Sequence, residues 1–151
     1  MKALALPAAL ALLALGSSAA TLQSVPPTLS RYMERQGPLV HREVFAAIDR
    51  PNQLVAYYCV DDAQPGGTNE GANNPSFTHC HVALFNRVGK AWIFANELPL
   101  GQGKVQGFAN GIVRVQTVRY KSSDALCCPS AIRRATFATH SGRLMATRRG
   151  P

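Results

Sequence analysis

Acidic side chains are scarce. Eight Asp and Glu stand against sixteen Lys and Arg in 151 residues, a formal charge of +8. So few acids leave no close carboxylate pair in a plausible pocket, the minimum for two-carboxylate acid–base chemistry. Other catalytic signatures are missing too. There is no G-x-S-x-G, no H-E-x-x-H, no glycine-rich phosphate loop and no C-x-x-C. No catalytic residue, metal or cofactor is expected, and no residue set meets the requirements of an enzyme. No basic run exceeds two residues, and no basic stripe is interleaved with stacking aromatics, which argues against nucleic acid. The cations look scattered: Arg42, Arg87, Lys90, Arg114, Arg119, Arg133, Arg134 and Arg143 fall singly or in one pair. A dispersed positive surface suits solubility first and adhesion to an anionic envelope polymer second.

A long apolar run is missing as well. "ALALPAALALLALG" follows Met1-Lys2 and ends in "SSAA" at Ala20. It falls short of the roughly 18 residues a transmembrane helix needs. A short basic start, an apolar middle and small residues at the end make a secretory signal, cut near Thr21. The chain beyond it carries +7. No cysteine stands near the cut, so no lipid anchor or other stable membrane anchor is expected. The expected organisation is a signal peptide over 1–20, an N-terminal extension over 21–38 and one β domain over 39–151. The expected address is exported, periplasmic or secreted.

Helical periodicity is nearly absent. One short helix fits 21–38, with Thr28 or Ser30 as cap and Gly37-Pro38 as stop. From Val40 onward the pattern has period two. "QLVAYYCV" is apolar on both faces, as a central strand would be. Asn110-Gly111 and Ser141-Gly142 read as hairpin turns, because these residues accept positive φ. The reading is a mostly β domain (β or α+β): an antiparallel sheet of about six or seven short strands in hairpin order. Phe85, Trp92, Phe94, Phe108, Tyr120 and Phe137 are the expected core aromatics. The stretch 61–77 is rich in Gly, Asn and Pro and reads as a surface loop; its acids lack the spacing of a calcium loop.

Cysteine is sparse but even in number: Cys59, Cys80, Cys127 and Cys128. In an oxidising compartment these read as disulfides. Cys59 and Cys80 flank the 61–77 loop and face one another if their strands pair. Cys127 and Cys128 then bond each other in a distorted turn, or each takes one of the other two; both patterns stay open. A zinc site over "THCHV" is disfavoured, because His79 and His81 point away from Cys80 in a strand. Asp124, Pro129 and Ser130 supply turn chemistry around the adjacent cysteines.

The stretch 107–144 resembles the C-terminal part of bacterial LppP/LprE-type lipoproteins and related exported proteins. The matching positions are Asp124, Cys127, Cys128, Pro129, Ser130, Gly142 and Leu144. The resemblance covers about a quarter of the chain. It implies an exported β fold but no mechanism, since that family carries no established activity. This chain departs from it in lacking a lipidated cysteine. Together these readings point to a small exported module of the cell envelope or extracellular space that binds or supports something. Its partner is an anionic envelope component or another protein. The alternative is a redox-sensing or thiol-exchange protein that uses Cys127 and Cys128.

Overall fold

The period-two runs become strands in a computed structural model that describes residues 20–61, 78–119, 121–125 and 130–147. The elements are β1 (Ala20–Thr21), α1 (Pro27–Glu34), β2 (Leu39–Ala46), β3 (Gln53–Asp61), β4 (Thr78–Val88) and β5 (Ala91–Gly101). They continue as β6 (Gly103–Ala109), β7 (Ile112–Arg119), β8 (Ala131–His140) and β9 (Arg143–Ala146). Every neighbouring pair is antiparallel and consecutive in sequence. The chain is mostly β in hairpin order. The strands divide between two sheets, β1–β5 and β6–β9, and the chain changes sheet at Gly101-Gln102-Gly103.

Alternation explains the layering. On β3, Val55, Tyr57 and Cys59 face the second sheet, while Leu54, Ala56, Tyr58 and Val60 face away from it. Both sets are buried, so β3 is the central strand its sequence describes. Between the sheets, the first set packs on Val82, Leu84, Val105, Phe108, Val113, Val115 and Leu144. The other set is covered by α1, whose Leu29 and Met33 are fully buried against Val44, Tyr58 and Phe85. The extension is therefore part of the domain's packing. The helix starts differently from expectation: no side chain caps it, and Pro27 occupies its first turn after Pro26. Proline's fixed φ and missing N–H suit that position, so the Pro-Pro pair begins the helix.

The hairpin turns form where expected. Asn110 and Gly111 have φ of 52° and 67°, and Ser141 and Gly142 have 49° and 73°. Both residues of each turn sit at positive φ, as a type I′ turn requires. At one seam of the sandwich a side chain stands in for a strand pair. The Asn96 carboxamide on β5 accepts from Leu144 N–H (2.8 Å) and donates to Leu144 C=O (3.0 Å) on β9. Asn86 adds a bond to Gly142 C=O at 2.7 Å.

Three of the expected core aromatics are not deeply buried: Phe94 is 41% exposed, and Trp92 and Phe137 are only partly buried. Phe94 lies on the helix side of the first sheet and stacks on Tyr32, centroids 4.6 Å apart. Tyr57, Tyr58 and Phe45 are buried in the core alongside Phe85 and Phe108. Tyr120 lies outside the described residues.

Candidate functional site

Sequence order hides how the charges sort. From Thr21 to Glu97, six Lys and Arg meet seven Asp and Glu. From Leu98 onward nine Lys and Arg meet one acid, Asp124. The boundary coincides with the change of sheet, so the strands of the second sheet contain no acid at all. This corrects the reading of a dispersed positive surface: the cations are scattered in sequence but segregated in the fold.

The outer face of the second sheet follows from register. Lys104, Gln116 and Arg134 form one rung across β6, β7 and β8, and Arg114 stands opposite Thr136 on the next. Neighbouring strands lie about 4.8 Å apart and alternate residues about 7 Å apart along a strand. Lys104, Arg114 and Arg134 thus surround Gln116 within reach of one ligand. All three cations are exposed, and among the described residues no element packs on this face. A depression of about 450 Å³ lies there, lined by Gln106, Arg114, Gln116, Arg134, Thr136 and Thr147 among others. A β-bulge between Val105 and Gly107 leaves Gln106 outside the regular ladder. Bulges re-aim side chains in this way beside binding sites. Gln106 Nε2 donates to Gln116 Oε1 at 3.4 Å.

A second polar cluster lies on the helix side of the first sheet. Glu97 on β5 stands opposite Ala83, which stands opposite Ala56, so small side chains flank it along this rung. Tyr32 of α1 donates to Glu97 Oε2 at 2.8 Å, and Tyr58 donates to the same oxygen. His81 Nδ1 lies 2.8 Å from Glu97 Oε1, and its ring stacks on Tyr58. Burial, then the bond to Glu97, raises both phenols well above the usual tyrosine range. They remain donors at any ordinary pH. One oxygen of the carboxylate is filled by two phenols, so the cluster clasps α1 to β5 rather than offering a free base.

Cys59 and Cys80 are bonded, on directly opposed positions of β3 and β4 with Cα atoms 4.0 Å apart. This excludes the pairings of either with Cys127 or Cys128. The adjacent cysteines and Pro129 lie outside the described residues, as does 62–77, and the thiol-exchange reading rests on the first two. The structure does bring the ends of their turn together. The Asp124 carboxylate accepts from Lys121 N–H (2.8 Å), Ser130 N–H (2.7 Å) and the Ser130 hydroxyl (2.6 Å). These bonds, the Lys121 N–H first, hold its carboxyl below the usual aspartate value. Among the described residues no group of three His, Cys, Asp or Glu is placed to hold a metal. Cys80 faces the inter-sheet core while His81 lies on the helix side.

No family model, no curated protein and no solved structure matches the chain.

Proposed function

We propose that the chain is an exported, non-catalytic binding module that holds an anionic partner against the outer face of its second sheet. The carrying observation is the division of charge between the sheets, which places Lys104, Arg114 and Arg134 together on one face of strands that contain no acid. Positive side chains on a concave surface raise the local concentration of anions and steer their approach. Export is supported by the Cys59–Cys80 disulfide, a bond that persists in oxidising compartments. No helix of the described residues is long and apolar enough to cross a membrane. The Asp124 to Ser130 motif, with its likeness to exported LppP/LprE-type proteins, points to the same address.

The test is co-sedimentation of the purified protein with isolated cell-envelope material at rising ionic strength. The reading expects retention at low salt and progressive release as salt screens the contacts. No retention at low salt, or retention indifferent to salt, contradicts it.

A further inference from the structure

Three depressions meet on β6. The first, of about 450 Å³, shares Gln116 with a second of about 340 Å³ that reaches Thr78 and Gln102. The second shares Lys104 with a third of about 460 Å³, between β2 and β6, lined by His41, Glu43 and Tyr57. The third shares Gln106 with the first. Lys104, Gln106 and Gln116 thus stand where the three depressions adjoin, as the arms of a branched groove would. Each arm falls within the size range of small-ligand sites, and together they exceed what a single compact anion needs.

The lining chemistry is specific in kind. Side-chain amides come from Gln102, Gln106 and Gln116 and hydroxyls from Thr78, Thr136 and Thr147, the last two bonded to each other, over a floor that includes Val115, Ala135 and Val118; the one carboxylate, Glu43, lies in the third arm. Amides and hydroxyls both donate and accept, which matches a ligand dense in hydroxyl groups. The guanidinium forks of Arg114 and Arg134 match planar carboxylates. Phosphate sites typically add backbone N–H groups from a helix N-terminus or a turn nest. Around Arg114 and Gln116 the backbone of the inner strand β7 is paired on both sides, to β6 and to β8, so side chains supply the donors there. Among the described residues of the second sheet, the aromatic rings Phe108 and Phe137 point between the sheets and not onto this face.

We infer that the groove binds a carboxylate-bearing glycan, with Gln106 and Gln116 reading sugar hydroxyls and Lys104, Arg114 and Arg134 pairing with its carboxylates. This rests on the anion-binding reading and names the class of anion. The bulge supplies the reason for a glutamine at 106: it turns an amide to where the three arms meet.

Titration calorimetry of the purified protein with oligogalacturonate, its methyl-esterified form and inorganic polyphosphate tests the inference. The acidic glycan binds, and esterification weakens it at least about tenfold, since each lost charge-assisted bond is among the stronger polar contacts. Gln106→Ala and Gln116→Ala, which leave net charge unchanged, each weaken it about fivefold, the scale of one neutral hydrogen bond. Their salt dependence stays that of the parent, whereas Arg114→Gln lowers the salt slope. Polyphosphate binding tighter than the acidic glycan, or glutamine variants that bind like the parent, would overturn the inference while leaving anion binding intact. Failure to bind any of the polyanions at low salt would overturn both.

Discussion

Cys59 and Cys80 show how a single residue pair constrains the rest. Their strands already oppose them, so the bond links positions that the pairing of β3 and β4 brings together, and both side chains sit in the inter-sheet core. Non-reducing peptide mapping is expected to recover Cys59 linked to Cys80. It is also expected to find Cys127 and Cys128 bonded to one another, the one pairing left within the chain. Replacing Cys59 and Cys80 together by alanine costs about 3 kcal/mol, the chain-entropy value for a loop of this size, read from a denaturant midpoint. A pair variant as stable as the parent would show that the bond constrains nothing.

Tyrosines carry the pH dependence at this scale. The phenols of Tyr32, Tyr57 and Tyr58 are all raised, chiefly by burial. The folded chain holds these protons more tightly than the unfolded one. Stability is therefore complete below the ordinary tyrosine value near pH 10 and falls as pH rises above it, by about 1.4 kcal/mol per pH unit for each fully affected phenol. Ultraviolet titration should show at least three of the four tyrosines ionising only with alkaline unfolding. Three phenols titrating reversibly near pH 10 in the folded protein would refute the clasp at Glu97.

Among elements, the strands were legible because period two and positive-φ turns are local signals. β3 declared its central place by being apolar on both faces, and Asn110-Gly111 declared its hairpin. The division into two sheets was not legible: Gly101-Gln102-Gly103 carries no signal distinguishing a change of sheet from another turn. The start of α1 was misread because Thr28 and Ser30 are good caps in isolation, while Pro27 needs no cap. Asn96 was equally silent, since a carboxamide that bridges β5 and β9 depends on partners 48 residues away. Asn96→Ala removes both bonds and strands the Leu144 backbone groups at a half-buried seam. The expected loss is about 1–3 kcal/mol in chemical denaturation, more than a surface substitution costs. A loss below about 0.5 kcal/mol would mean that the seam is held by packing alone.

At the scale of the whole molecule the lesson is about charge. The composition states an excess of cations, and reading along the chain makes them look dispersed. The two-sheet fold collects them, because the acids all but end at Glu97 and the second sheet begins at Gly103. The count by halves was available in the sequence; its meaning depended on knowing that the halves are separate sheets. The bulge at Gln106 gave no warning, being one residue out of register in an otherwise regular strand.

Binding depends on where the charge lies, not on how much of it there is. Two variants of equal net charge separate these: Arg114→Gln with Arg134→Gln on the second sheet, and Arg31→Gln in α1 with Arg35→Gln at its C-cap. All four side chains are exposed, so folding should be unaffected in either pair, which a melting curve checks. The measurement is affinity for isolated envelope material at low salt. The second-sheet pair is expected to lose about tenfold or more, at roughly 1.4 kcal/mol per decade, while the pair at the helix binds like the parent. Equal losses in the two pairs, or no loss in the second-sheet pair, would contradict this dependence on location.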